Sequence, residues 1–203
     1  MLRRAAALLA LAALTACGPA EPRWADEDLV QRSIYRPGGP PALTLYTVVS
    51  TETGRGAHSS LLVNADQQVL FDPAGTFVHP LIPERNDVII GVDPVVLDYY
   101  TDYHARRTFD VVAHRIEVTP EVAALAMQLV TTHGAVRKAE CARQLSAILQ
   151  QLPGFQSIDR TWYPRSLQED FAALPGVETW TISDPDDPDD NTGVLIDIDL
   201  LNR

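Results

Sequence analysis

Thiol, imidazole and carboxylate are the groups in this chain best suited to covalent chemistry, and the first two are scarce. The 203 residues hold 2 cysteines and 5 histidines. Cys17 directly follows the expected export leader and is set apart from the fold, so Cys141 is expected to be the only thiol of the folded part. A lone thiol cannot form an internal disulfide, even in a compartment that favours them. It stands near the start of a predicted helix in which Leu145, Ile148, Leu149 and Leu152 follow at spacings of four, seven, eight and eleven. That spacing puts Cys141 on the inward, apolar stripe. Near a helix amino terminus the peptide dipoles stabilise a thiolate and lower the thiol pKa. A nucleophilic cysteine also needs a base within hydrogen-bond reach, usually histidine. A buried cysteine acting as a small apolar residue fits the same position.

The histidines are not equivalent. His58 opens a predicted strand after a glycine-containing loop, and the return strand ends in Asp72. His114 lies on the apolar phase of its strand, as a core residue or a neighbour of a site. His79, His104 and His133 sit in loop-like surroundings without ligand spacing, so no zinc site is expected. Ser59 and Ser60 follow His58 outside any nucleophile-elbow pattern and read as strand residues. Tyr99, Tyr100 and Tyr103 are expected to pack one short helix. The acidic run 184–191 lacks the calcium-loop spacing and reads as a solvated loop.

The elements that must position these groups come as strands, then helices, then strands. The β-branched stretch 43–50 predicts a strand. Residues 58–63 and 68–72 predict a hairpin about the turn 64–67. Asp93-Pro94 opens a short helix through Tyr100. Alternation predicts a strand over 109–118, and Thr119-Pro120-Glu121 starts a helix through Thr132, ended by Gly134. Further helices are expected over 138–152 and 164–174, with closing strands at 177–183 and 194–200. This order predicts an α+β domain, an antiparallel sheet with helices packed on one side.

The amino terminus reads as a lipoprotein signal. Arg3 and Arg4 precede an apolar run, Ala5 to Leu14, that is too short to span a bilayer permanently. Leu14-Thr15-Ala16-Cys17 resembles the bacterial lipobox, in which the cysteine is lipidated after the leader is removed. The division is therefore a signal peptide at 1–16, a lipidated Pro/Gly-rich tether at 17–41 and a domain at 42–203. Gly18 after the cysteine gives no inner-membrane retention signal, which favours the outer membrane and the periplasmic side of a bacterial envelope. With 16 basic and 27 acidic side chains and a net charge of -11, no nucleic-acid partner is expected. No nucleotide, flavin or metal pattern occurs, so no cofactor is expected.

His58 at a strand start, Asp72 at the hairpin return, Glu140-Cys141-Ala142-Arg143-Gln144-Leu145 at a helix start and Tyr163-Pro164-Arg165-Ser166-Leu167 downstream form a pattern. It resembles the circularly permuted branch of the NlpC-like papain-fold superfamily, which includes the lecithin–retinol acyltransferase-like proteins. In that branch the histidine precedes the cysteine. The resemblance implies a permuted papain-like fold with Cys141 as nucleophile, His58 as base and Asp72 as the group orienting the imidazole. It also implies an amide or ester hydrolase, for which the envelope location suggests peptidoglycan stem peptides. Members often carry Asn or an aromatic residue where this chain has Glu140, which keeps open an inactive papain-fold lipoprotein serving envelope binding or assembly. Adjacent helical positions point about 100° apart, so Glu140 is expected to face solvent while Cys141 faces the sheet.

Overall fold

Eight of the nine residues of β1 (Ala42–Ser50) are buried, which marks a central strand covered on both faces. It pairs antiparallel with β2 (Gly56–Asn64) and β6 (Phe109–Glu117). The computed structural model describes residues 19–184. Within them β3 (Gln68–Phe71), β4 (Glu84–Arg85), β5 (Val88–Ile90) and β7 (Glu178–Ile182) complete a seven-stranded antiparallel sheet in the order β4-β5-β3-β2-β1-β6-β7. Five helices accompany it: α1 (Glu27–Ser33), α2 (Pro94–His104), α3 (Pro120–Thr132), α4 (Cys141–Leu149) and α5 (Pro164–Ala172). The fold is α+β. None of these helices is long and apolar enough to cross a membrane.

Alternation along the central strands divides the core in two. Leu43, Leu45, Leu61, Val63 and Phe71 face α3, α4 and α5. Tyr46, Val48, Leu62 and Leu70 face the other way and are covered by Val96 and Tyr100 of α2. Helices on one side is thus right for three of them and wrong for α2. The physical reason is that β1, β2 and β3 are apolar in both phases, so each face needs a cover.

Capping chemistry sets several helix starts. Thr119 Oγ1 accepts the Val122 N–H at 3.4 Å and Asp93 Oδ1 accepts the Val96 N–H at 2.9 Å, each followed by Pro at the first helical position. α2 continues past Tyr100 to His104, and α4 begins at Cys141 itself rather than at 138.

The expected free tether is docked along its described part. Trp24 bridges Arg85 in an antiparallel contact, and the Ala25 N–H donates to Glu84 O at 3.0 Å. The Arg85 guanidinium caps Ala25 O and lies 4.7 Å over the Trp24 ring. Val30 of α1 is buried, and Gly91 (φ +77) lets the Ser33 carbonyl approach where a Cβ would collide. Chain hydrogen bonding to the edge strand β4 covers unpaired backbone groups, so the folded unit begins well before Ala42. The leader 1–16, Cys17, the acidic run beyond Asp184 and the strand expected at 194–200 lie outside the described residues.

Candidate active site

Only Leu61 to Asn64 of β2 pair with β3, which leaves the earlier half of β2 open on that side. The register between β1 and β2 slips between Val48 and Val49, so one extra residue, Ala57, is accommodated just before His58. Such a bulge re-aims the side chains beside it. α4 brings Cys141 to this open edge, where the backbone N–H groups of Ser59 and Ala142 neighbour the sulfur and favour its thiolate. Ala139, two residues earlier, holds φ at 65°, a left-handed conformation costly for a residue with a Cβ.

The three sequence-predicted groups are together. His58 Nε2 lies 2.6 Å from Asp72 Oδ1. A carboxylate only accepts, so Nε2 carries the proton there, and Nδ1 is the nitrogen left to interact with the neighbouring Cys141 sulfur. Cys141 is 6% exposed and Asp72 4%. Burial opposes charge on all three, yet the mutual contacts win. The Asp72 carboxylate, with help from the sulfur, raises His58 to about 10 against its desolvation. Burial raises the Cys141 thiol, but the neighbouring His58 cation, then the two nearby N–H groups, bring it below its ordinary value. Desolvation likewise raises Asp72, and the His58 cation lowers it further than that. The opposite shifts favour a thiolate–imidazolium pair backed by a carboxylate over the neutral pair.

Residues outside the sequence pattern support this cluster. The buried Tyr100 hydroxyl lies 2.7 Å from Asp72 Oδ1 and 2.8 Å from Ser60 Oγ. Its single proton goes to the carboxylate, and the Ser60 hydroxyl supplies its own to the phenol oxygen. Gly75 packs against the Asp72 carboxylate so closely that any Cβ would overlap it. Asp87 Oδ2 accepts the N–H groups of Ala74 at 3.1 Å and Val136 at 2.8 Å, tying the turn after Asp72 to the loop that leads into Cys141. His104 stacks on His58 with ring centroids 5.7 Å apart and planes 11° apart. Its loop-like reading is corrected: it is the last residue of α2, one helical turn beyond Tyr100 and on the same face. That i, i+4 spacing was the available signal, and it carries meaning only once α2 is known to reach His104.

Glu140 does not face open solvent as expected. Its side chain is 17% exposed and folds along its own helix, accepting from Gln144 Nε2 at 2.6 Å and meeting Arg143 at 3.4 Å. The carboxylate is thereby occupied by Gln144 and Arg143. His114 is a buried residue of β6 whose Nδ1 meets Thr179 Oγ1 at 2.9 Å. His79 packs on Tyr99 and His133 on Phe71. Neither they nor His114 join the cluster.

Fold and site together define an α+β domain with a buried Cys–His–Asp constellation at a helix start. No family model matches the chain, and no curated protein or solved structure matches it significantly.

Proposed function

We propose that the protein is a lipid-anchored cysteine hydrolase of the permuted papain-like kind, acting on amide or ester bonds on the periplasmic side of a bacterial envelope. The observation that carries this reading is His58 held between Asp72 and Cys141, with imidazole and thiol shifted in opposite directions. The Cys141 thiolate attacks the substrate carbonyl carbon and forms a C–S bond. The developing oxyanion is met by the Cys141 backbone N–H, which as the first helical donor has no intrahelical acceptor. His58 gives its Nδ1 proton to the departing amine or alkoxide as that bond breaks. The neutral ring then takes a proton from water, the hydroxide displaces the thiolate, and the free acid leaves. Asp72 keeps the ring's tautomer and stabilises the imidazolium throughout.

Peptidoglycan stem peptides are the proposed substrates, with acyl lipids and proteins as the other amide or ester sources within reach of an outer-membrane anchor at Cys17. No cofactor is called for. Incubating the full chain with an activated ester should give an acyl-enzyme mass at Cys141. Iodoacetamide alkylation should show an apparent thiol pKa below the free value of about 8.5. Cys141→Ser should lower stem-peptide or ester hydrolysis by about 10³-fold or more. A thiol titrating at or above the free value, with no acyl-enzyme, would leave the binding or assembly lipoprotein as the better reading. The anchor has its own test: Cys17→Ser should abolish labelling by a fatty-acid probe, and retained label overturns lipidation there.

A further inference from the structure

His104 brings a second imidazole to the Asp72 carboxylate, and the donor atoms of His58, Asp72 and His104 all lie within 4.8 Å of one another. We propose that these three residues form a binding site for a divalent transition-metal ion of the zinc class, overlapping the dyad and closing it when filled.

The donor set is that of a three-ligand zinc site with one position open to water. Two imidazoles and a carboxylate suit borderline ions better than calcium or magnesium, which take oxygen ligands. A tetrahedral ion with bonds of about 2.1 Å sets its ligand atoms about 3.4 Å apart, so the widest gap must close by no more than about 1.4 Å and the 2.6 Å His58–Asp72 contact must open by about 0.8 Å. The outer contacts are already arranged for it. His104 Nδ1 lies 2.8 Å from Tyr100 O, and a carbonyl only accepts, so the proton sits on Nδ1 and the Nε2 lone pair is free. That Nε2 has no hydrogen-bond partner among the described residues. The same Tyr100 donates its hydroxyl to Asp72 at 2.7 Å. One residue therefore fixes two of the three ligands, the outer-shell arrangement that holds metal-binding histidines and carboxylates in place.

Binding exchanges a proton for the ion: the metal takes the His58 Nε2 lone pair and the Nε2 proton passes to solvent. The ring then keeps its remaining proton on Nδ1 toward the sulfur and no longer cycles between base and acid. This inhibitory consequence rests on the hydrolase reading, whereas the binding itself does not.

The two are separated by using the full chain carrying Cys141→Ser, titrated with Zn²⁺ against a chromophoric chelator, and with Co²⁺ followed by its visible absorption. We expect one-to-one binding, weakened about tenfold or more by His104→Gln, which loses the imidazole. His79→Gln should bind as the parent does. In the chain with Cys141 intact, Zn²⁺ should arrest ester hydrolysis, a chelator should restore it, and His104→Gln should shift inhibition to higher zinc by the same factor. Equal binding by His104→Gln and parent, or no saturable one-to-one binding, overturns the site. Binding as expected in a chain that hydrolyses nothing upholds the site and removes the hydrolase.

Discussion

His58 and His114 are both sheet histidines with one ring nitrogen in a hydrogen bond, and they are driven in opposite directions. His114 meets the neutral hydroxyl of Thr179, so burial and then the Arg165 cation push its pKa down. His58 meets the Asp72 carboxylate, which reverses the sign despite burial. Their surroundings differ as well. His114 Nε2 is left without a partner, as are the hydroxyls of Thr47 and Ser59 on the same face of the sheet. On the opposite face Asp72, Tyr100 and Ser60 form a connected network. A buried histidine becomes a cation only where a carboxylate is delivered to it, and here the delivery is by the end of β3.

The largest effect should come from removing each ring in turn. His58→Ala should slow iodoacetamide alkylation of Cys141 at pH 6 by about tenfold or more, because the imidazolium that stabilises the thiolate is gone. His114→Ala should leave that rate within about twofold, since its ring lies outside the Cys141 network. Equal slowing in both folded variants would erase the contrast.

An intermediate effect concerns pH and the histidines whose pKa values are lowered. His104, pushed down to about 4 by burial against the pull of Asp72, resists protonation in the folded chain. A base depressed on folding costs stability as pH falls below its unfolded value of about 6.5. The unfolding constant should then rise by up to about tenfold per pH unit between pH 6.5 and 4. His104→Gln should flatten that limb in urea titrations. His58 behaves oppositely: raised to about 10, it contributes stability that is complete below about 6.5 and lost as pH climbs through 10. An acid limb unchanged by His104→Gln would contradict the assignment.

The smallest effect belongs to Glu140. Its carboxylate is held by Arg143 and Gln144, so Glu140→Gln should change the alkylation rate at pH 6 by no more than about twofold. A tenfold gain would mean that the charge reaches the thiol after all.

Much of the frame was legible because it is written locally. The turn at 64–67, the Pro-marked starts of α2, α3 and α5 and the alternation of β6 all follow from nearest-neighbour chemistry. The β4–β5 hairpin escaped notice because each strand is very short, and its turn uses Asn86 and Asp87 at φ 49° and 66° rather than glycine. The Pro-rich stretch read as a tether because composition reports stiffness, not the sheet edge waiting to pair with it. The candidate triad of His58, Asp72 and Cys141 was reachable through the family resemblance, which supplied the roles, rather than through local pattern alone. Tyr100 read only as helix packing, and Asp87 had no readable signal at all.

The sequence by itself determined the helix and strand periods and the place of Cys141 at a helix start, since these depend on residue types a few positions apart. Tertiary structure decided which histidine meets a carboxylate, that α2 covers the second sheet face, and that Tyr100 and His104 reach Asp72 from 28 and 32 residues away. The reason is physical: periodicity and capping are short-range, whereas the charge a buried group carries is set by partners within about 4–6 Å in space, whatever their distance along the chain.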